Sequence, residues 1–227
     1  MKILVFLFPI TLFLIFLCIK LVLPDAYTSL IREDSVIEYS QAVVYLIAST
    51  IAFVVSIKFL HGKMRMNGIL YGILAIGLLF IFLEEVSWGQ RAFKIATPAY
   101  FEQHNSQKEI SIHNLKIVQC ILHKIYLIVG AYGAFAWIVA TVFLSKAKTT
   151  CCHVAKVVVP DWFVSSYFFF TFFIYFLFEY VSQPHPGSFL VWRDEEPAEL
   201  FLSLGFLSFV TINYVRLRIC LSSASRN

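Results

Sequence analysis

Charged residues are scarce in this sequence: Asp, Glu, Lys and Arg make up only 14% of its 227 residues. A soluble domain of similar length has about a quarter of its residues charged. Hydrophobic residues instead account for 59% of the chain, and the mean hydropathy is +0.79. This balance excludes an ordinary soluble domain and indicates a protein whose outer surface faces a lipid bilayer.

The sequence also lacks the signatures of several functional classes. The formal charge is +4, but no basic patch alternates with exposed aromatic residues, so we expect no nucleic-acid binding. There is no nucleotide-binding loop, internal repeat or low-complexity tract. No cysteine has metal-site spacing, and we predict that all of them are unpaired thiols: Cys18, Cys120, Cys151, Cys152 and Cys220.

Long apolar runs predict membrane-spanning helices, each of which needs about 20 residues. Six runs meet this requirement: Lys2–Leu23, Val36–Leu60, Asn67–Trp88, Ile125–Leu144, Trp162–Val181 and Pro197–Ile219. The first run is longer than a signal-peptide core and no small-residue cleavage site follows it, so we predict that it is a retained span. The sequence therefore predicts an all-α polytopic transmembrane helical bundle of about six spans, with residues 1–227 forming a single integral membrane domain.

The distribution of Lys and Arg predicts the orientation of these spans, because cytoplasmic loops are enriched in basic residues. The second and fourth connectors and the C-terminal tail carry most of them: Lys58, Lys63, Arg65, Lys146, Lys148, Lys156, Arg216, Arg218 and Arg226. The first and fifth connectors offer only Arg32 and Arg193. We therefore predict a bacterial-type inner membrane location with both termini in the cytoplasm, although the basic third connector departs from this pattern.

Acidic residues collect at one end of the predicted bundle, which is the outer end in this orientation. They lie at span ends and in the third connector: Asp34, Glu38, Glu84, Glu85, Glu109, Glu179, Glu195, Glu196 and Glu199. Helical spacing predicts four polar stripes: Asp34, Glu38, Gln41 and Tyr45; Thr171, Tyr175, Glu179 and Ser182; Glu196, Glu199 and Ser203; and His113, Lys116, Cys120 and His123. Because polar groups avoid lipid, we expect these stripes to face one shared cavity.

The third connector is long, and connectors of that length are often functional. Thr97 and Pro98 are typical of a helix start, with Thr97 as the cap. The sequence therefore predicts a short interfacial helix over Pro98–His104, lying over the mouth of the cavity.

One string of residues resembles a known family. Glu33-Asp34-Ser35-Val36-Ile37-Glu38-Tyr39 and Glu84-Glu85-Val86-Ser87-Trp88-Gly89-Gln90-Arg91 resemble a family of bacterial multi-span membrane proteins that carries a Glu-Glu-x-Ser-Trp-Gly-Gln-Arg motif. The likeness extends through Thr97-Pro98, Asn105-x-Gln107-x-Glu109, His113-Asn114-Leu115 and Asp194-Glu195-Glu196. It implies a polar site within a membrane bundle and no particular reaction.

A looser likeness connects the chain with intramembrane glutamic proteases of the prenyl-endopeptidase type. Those proteins pair a Glu-Glu-x-x-x-Arg motif with histidines on later spans. Here Arg91 lies two residues further along than that motif requires, and the later spans lack those histidines. We therefore treat this likeness as an analogy.

An enzyme is the first functional hypothesis: a hydrolase or transferase acting on a lipid-linked substrate, with either a divalent metal or a glutamate as general base. The candidate catalytic residues are Glu84, Glu85, Arg91 and His113. The candidate metal ligands are Asp34, Glu38, Glu84, Glu85, His113 and Glu199. The candidate substrate-binding residues are Gln41, Tyr45, Trp88, Asn114, Glu179 and Glu196.

Two other hypotheses stay open. A proton-coupled transporter or ion pathway would use the same carboxylates, but the polar stripes fade toward the opposite end of the spans. A non-catalytic scaffold would present its acidic rim to an unidentified protein partner. Single residues have simpler alternative roles: Trp88 and Trp192 as interfacial aromatics, and His123 as a side chain reaching toward the lipid head groups.

Overall fold

The structure, a computed structural model, describes residues 1–62, 64–144, 157–185 and 187–224. We number the α-helices in chain order: α1 (Lys2–Val22), α2 (Pro24–Leu30), α3 (Val36–His61), α4 (Arg65–Glu85), α5 (Gln90–Phe93), α6 (Ala99–His104), α7 (Lys116–Leu144), α8 (Ser165–Phe176) and α9 (Glu195–Ala224). Short 3-10 turns cover Ser87–Gly89 and Trp192–Asp194, and a π-helical turn, Leu177–Val181, continues α8. No β-strand occurs within the described ranges, so the predicted all-α polytopic class is confirmed.

Five helices are long and apolar enough to cross a membrane: Lys2–Val22, Val36–His61, Arg65–Glu85, Lys116–Phe143 and Trp192–Ile219. The chain is therefore an integral membrane protein. The fifth predicted span is shorter than expected, because its apolar helix covers Ser165–Val181 and does not include Trp162. The fourth is longer, because α7 begins at Lys116 and not at Ile125.

The prediction of unpaired cysteines can be compared with the structure at Cys18. Cys18 is a free, exposed thiol. The side chains of Cys120, Cys151, Cys152 and Cys220 lie outside the described part of the structure.

Helices α3 and α4 pack closely along an apolar seam. Ala48 and Ala52 of α3 and Ala75 of α4 are fully or almost fully buried, and their small side chains let the two backbones approach. Two α3 hydroxyls cross this seam: Ser49 donates to the Ala75 carbonyl at 2.8 Å, and Ser56 donates to the Gly68 carbonyl at 2.6 Å. Each bond satisfies a hydroxyl group that cannot form a hydrogen bond with water within the bilayer.

Helix α9 lies at the centre of the bundle, with α3 on one side and α8 on the other. Thr171 of α8 donates to the Ala198 carbonyl of α9 at 2.9 Å. Helix α1 packs against this pair through aromatic rings, with the Phe13 and Phe170 centroids 4.5 Å apart and the Phe16 ring edge-on to Phe201. The core therefore continues across the whole bundle.

The starts of α3, α7 and α9 meet the ends of α4 and α8 at one end of the bundle, which we call the acidic end. Gln41 on α3 donates to the Glu196 carbonyl of α9 at 2.7 Å. His123 on α7 lies 3.2 Å from the Glu179 carboxylate in the π-helical turn after α8. Both contacts join the helix ends at which the sequence places its acidic residues.

Close packing of α7 against α8 gives a first testable prediction, at Gly130. A Cβ added there would lie 2.7 Å from the Phe172 backbone nitrogen and 2.9 Å from its Cα. Backbone atoms cannot move aside as a flexible side chain can, so Gly130→Ala is expected to lower the free energy of unfolding by about 1–3 kcal/mol. Thermal unfolding of the detergent-solubilised protein measures this loss.

The matched control is Gly77→Ala on α4, where an added Cβ meets nothing within 4 Å. Alanine favours a helix over glycine by about 1 kcal/mol, so this variant should be as stable as the wild type or more stable. Equal destabilisation by the two substitutions would contradict the close approach of α7 and α8.

Candidate functional site

A small chamber lies at the acidic end, beneath the connector between α4 and α7. Side chains from α3, α4, α7, α9 and this connector line it: Glu38, Glu84, Glu85, Ser87, Gln107, His113, Asn114, Gln119, Leu122, His123, Tyr126, Glu195, Glu196 and Glu199. The space open to the centres of water molecules is about 30 Å³. One water needs roughly 10–15 Å³ of such space, so the chamber has room for a few water molecules.

The start of α3 positions Glu38 in this chamber. Ser35 caps the helix, its hydroxyl accepting a hydrogen bond from the Glu38 backbone N–H at 3.4 Å. The Glu38 carboxylate reaches back and accepts from the Asp34 N–H at 2.9 Å. This reciprocal arrangement is close to a capping box, and it keeps Glu38 buried, with 8% of its surface exposed.

The chain reverses direction directly after α4. Ser87, Trp88 and Gly89 all have left-handed backbone conformations, with φ of 47°, 54° and 77°. Such values are costly for Ser and Trp, which carry a Cβ, and persist where the surroundings enforce them. Here the Trp88 indole N–H donates to Glu84 Oε1 at 2.5 Å, which fixes the turn against the end of α4.

This reversal also sets the position of Arg91. The helix does not continue from Glu84 to Arg91, because α4 ends at Glu85. The Arg91 guanidinium instead forms an ion pair with Asp34, donates to Glu109 Oε1 at 2.5 Å and lies 3.7 Å from Glu38. Arg91 therefore fastens the connector to the start of α3, outside the chamber.

The Glu84 carboxylate holds the second half of the connector in place. Its Oε2 accepts hydrogen bonds from the backbone N–H groups of Ile112 at 2.6 Å and His113 at 2.9 Å, and lies 3.2 Å from His113 Nδ1. Within the described residues, every hydrogen bond that Glu84 accepts, including the one from Trp88, comes from the connector. Only 3% of the residue is exposed, so this carboxylate acts as a buried anchor.

Further hydrogen bonds give the connector a defined shape. The Asn105 amide donates to the Ser111 carbonyl at 2.7 Å and closes the loop between them. The Thr97 hydroxyl donates to the Lys108 carbonyl at 2.8 Å and accepts from the Gln90 amide at 2.7 Å. The predicted role of Thr97 as the cap of α6 is wrong, since no side chain caps that helix.

Glu85 differs from its neighbour Glu84. It lines the chamber, yet its carboxylate has no hydrogen-bond or ion-pair partner within the ranges that the structure describes. The other chamber carboxylates all have partners: Glu196 pairs with Arg193 at 3.1 Å, for example, and Glu199 accepts from the Tyr175 hydroxyl at 3.0 Å. Glu85 is thus available to act on a molecule in the chamber.

A larger cavity of about 600 Å³, which we call the vestibule, adjoins the chamber. The two cavities share five lining residues: Gln107, Asn114, Gln119, His123 and Glu195. The vestibule is also lined by Glu33, Ser106, Lys116, Lys124, Glu179, Gln183, Trp192 and Arg193. Its volume falls in the range of ligand pockets, which is roughly 300–1,000 Å³.

His123 lies on the wall between chamber and vestibule. Its Nδ1 is 3.2 Å from Glu179 Oε1 and its Nε2 is 3.6 Å from Glu195 Oε2. The ring also faces Tyr175 and Trp192, with centroids 5.4 and 6.0 Å away. A histidine between two carboxylates can exchange protons with both, so this side chain links the two cavities chemically.

The α3 stripe extends beyond the chamber. Gln41 bonds Glu196 through its amide nitrogen, but its Oε1 atom has no hydrogen-bond partner among the described residues, and neither has the Tyr45 hydroxyl. Both side chains are almost completely buried, at 0% and 1% exposure. The structure therefore places these two predicted substrate-binding residues behind the chamber wall.

The remaining predicted residues divide between the two cavities and their surroundings. The structure brings seven of them to the chamber: Glu38, Glu84, Glu85, His113, Asn114, Glu196 and Glu199. Glu179 lines the vestibule. Asp34, Gln41, Tyr45, Trp88 and Arg91 line neither cavity.

Seven residues of the chamber wall are not among the predicted site residues: Ser87, Gln107, Gln119, Leu122, His123, Tyr126 and Glu195. The sequence places His123 on a polar stripe that is expected to face the cavity, and Glu195 among the acidic residues at the same end, but neither is singled out as a site residue. The signal for His123 was already present in that stripe, which continues into the bundle because α7 begins at Lys116 and not at Ile125.

The predicted metal ligands do not all lie together. The described parts of the chain contain no group of three or more His, Cys, Asp or Glu side chains placed to hold a metal ion. Two predicted ligands are otherwise engaged, since Asp34 pairs with Arg91 and Glu84 accepts hydrogen bonds from the connector. Metal binding therefore stays a prediction from the sequence.

His113 carries the main electrostatic change in the connector. Burial lowers the pKa of His113, but the hydrogen bond to Glu84 and the charges of Glu85 and Glu84 raise it by more. The net pKa of His113 therefore lies above its ordinary value of 6.5. A charged imidazole beside Glu84 strengthens the contact that holds the connector over the chamber.

These features define an integral membrane protein with a buried acidic chamber at one end of its helical bundle. Comparisons of the chain with protein-family models, with curated proteins and with solved structures each found no match.

Proposed function

We propose that this protein is a membrane-embedded hydrolase that uses a water molecule to cleave the polar head group from a lipid-linked substrate. One observation carries the proposal: a chamber of water-molecule size holds an unpaired carboxylate, Glu85, and adjoins a vestibule large enough for a head group. A chamber of this size suits water as the nucleophile better than any larger acceptor, which favours a hydrolase over a transferase.

Glu85 and His123 are the proposed acid–base pair. Glu85 takes a proton from water while the water oxygen bonds to the reacting centre of the substrate. His123, in its protonated form between Glu179 and Glu195, gives its Nε2 proton to the leaving-group oxygen. The bond to the leaving group breaks with its electron pair on that oxygen. The proton on Glu85 then returns to His123 through the chamber.

The vestibule supports this assignment of the head group. Lys116 and Lys124 line it and have no ion-pair partner in the described residues, so they can bind an anionic group. The side-chain amides of Gln107 and Gln183 also line it and offer hydrogen-bond donors and acceptors to a polar head. In the orientation predicted from the basic connectors, this opening faces the outer leaflet.

The packing beyond the chamber argues against the proton-transport hypothesis. Further along α3, the face toward α4 and α9 is largely apolar and buried, with Ala52 and Val55 at 0% exposure. Its two buried hydroxyls, Ser49 and Ser56, are bonded to backbone carbonyls of α4. Leu78 of α4 and Val210 of α9 fill the same cluster. A proton path needs a chain of polar groups across the bundle, and this layer interrupts it.

Incorporation of ¹⁸O tests the hydrolase directly. Wild-type protein in vesicles of bacterial polar lipids, in ¹⁸O-labelled water, is expected to release lipid or head-group products that carry the label. Glu85→Gln should reduce the labelling rate by about 10²–10⁴-fold, the usual effect of removing a general base. Mass spectrometry of the lipid and water-soluble fractions measures both.

Glu102→Gln is the matched control, because Glu102 lies exposed on α6 and lines neither cavity. It should label products at the wild-type rate. Equal rates for wild type and Glu85→Gln would overturn the proposal, as would a wild-type protein that yields no labelled product. Proton uptake by the same vesicles, followed with an internal pH dye, would then support transport.

A further inference from the structure

A third, more apolar cavity lies beside the vestibule, in a groove of about 790 Å³ where α1 ends and α2 begins. Leu21 and Ile31 form one wall, and Phe189 and Val191, which precede α9, form the other. Leu21 and Phe189 are largely exposed, at 63% and 57%. Because α1 is a membrane-spanning helix, the groove opens at the level where its hydrocarbon surroundings end.

Three cations line this apolar groove: Lys20, Arg32 and Arg193. Lys20 forms an ion pair with Asp194, and its ammonium group lies 4.7 Å from the Phe189 ring centre. Arg32 has no ion-pair partner within the described ranges. The groove therefore combines an apolar surface with a positive charge that lacks a counterion. That combination suits an amphiphile with an anionic head.

The groove and the vestibule meet at one ion pair. Glu33 and Arg193 line both cavities, and the two side chains form a salt bridge between them. Arg193 also donates to Glu196 Oε1 at 3.1 Å, and Glu196 lines the chamber. A molecule lying across the Glu33–Arg193 pair would therefore reach from the bilayer to the acidic chamber.

We infer that this groove binds the hydrocarbon chain and phosphate of an anionic phospholipid. The chain lies against Leu21, Ile31 and Phe189, and the phosphate binds Arg32 and Arg193, taking the place of Glu33 on Arg193. A guanidinium group suits this role because it can donate two parallel hydrogen bonds to phosphate oxygens. The head group then extends into the vestibule toward His123.

This inference rests on the proposed function where it takes the bound lipid as the substrate, whereas binding itself can be measured without turnover. The test uses native mass spectrometry of the full-length protein in detergent, titrated with phosphatidic acid or with diacylglycerol of the same acyl chains. One phosphatidic acid molecule should bind, and diacylglycerol should bind at least tenfold more weakly. Arg32→Gln should weaken phosphatidic acid binding by about tenfold, since it removes one charged hydrogen-bond donor.

Arg65→Gln supplies the matched control, because it removes the same charge from an exposed residue at the start of α4, the opposite end of that helix from Glu85. Its affinity for phosphatidic acid should equal that of the wild type. Equal binding of diacylglycerol and phosphatidic acid would overturn the inference, as would equal losses in the two arginine variants. Specific lipid binding without ¹⁸O labelling would leave the groove established and refute the hydrolase. Incorporation of ¹⁸O without specific lipid binding would support the hydrolase and refute lipid binding in the groove.

Discussion

Replacement of Asp194 by alanine is expected to lower the free energy of unfolding by about 3–5 kcal/mol, the cost of leaving one member of a buried ion pair unpaired. Asp194 forms an ion pair with Lys20 of α1, accepts from the Tyr27 hydroxyl of α2 at 2.6 Å and accepts from the Val191 N–H at 2.8 Å. The side chains of Lys20 and Asp194 are only 15% and 6% exposed. Asp194 therefore ties the first two helices to the start of α9, and Asp194→Ala should loosen them together.

The loss is measured by unfolding in mixed micelles titrated with dodecyl sulfate. The control is Asp161→Ala, which breaks the more exposed ion pair of Asp161 with Arg216, at 2.6 Å. Exposed pairs contribute about 0–1 kcal/mol, so this variant should stay close to the wild type. Adding Lys20→Met to Asp194→Ala should recover part of the stability, because it removes the stranded charge. Equal losses for Asp194→Ala and Asp161→Ala would show that Asp194 does not anchor these helices.

Helical periodicity predicted several of the acidic residues that line the chamber. The spacing of Glu38 and Gln41 on α3, and of Glu196 and Glu199 on α9, placed each pair on one face, and the cost of polar groups in lipid turned those faces inward. The structure brings Glu38, Glu196 and Glu199 to one chamber, with Gln41 bridging α3 and α9. Periodicity works here because both stretches are regular helices from their first turn.

The same reasoning fails wherever the backbone leaves the helix. Arg91 would lie on the same face as Glu84 if α4 continued, but Ser87 and Trp88 adopt left-handed conformations that no propensity scale would assign to them. The turn is held by tertiary contacts between residues more than twenty positions apart: Ser87 donates to Glu109, and Arg91 pairs with Asp34. Local sequence does not encode such contacts, so the position of Arg91 could not be predicted.

Helix boundaries explain the residues that were missed. The predicted fourth span begins at Ile125, after His123, whereas α7 begins at Lys116 and carries His123 into the bundle. Polar residues such as Lys116 and Gln119 make the start of α7 resemble a connector in the sequence, because they face the vestibule and not lipid. A functional cavity therefore interrupts the apolar pattern from which spans are recognised.

The adjacent carboxylates of Glu84 and Glu85 are expected to respond in opposite ways when each is replaced by glutamine. The Glu84 carboxylate accepts hydrogen bonds from the Trp88 indole N–H and from the backbone N–H groups of Ile112 and His113. The amide nitrogen of a glutamine cannot accept, so Glu84→Gln leaves at least one buried donor unsatisfied. Each such donor costs about 1–3 kcal/mol of unfolding free energy. Glu85 has no partner among the described residues, so Glu85→Gln should keep the stability and remove the activity.

The pH dependence separates the two variants further, because Glu84 is the main group that raises the pKa of His113. A histidine with a raised pKa in the folded state contributes stability that is fully present below its unfolded value of 6.5 and is lost as the pH rises through the folded value. The difference in unfolding free energy between wild type and Glu84→Gln should therefore be largest below pH 6.5 and shrink at higher pH. Thermal unfolding across this range measures it. A Glu84→Gln variant as stable as Glu85→Gln at every pH would refute the assignment of Glu84 as the anchor of the connector, and a fully active Glu85→Gln would refute that of Glu85 as the general base.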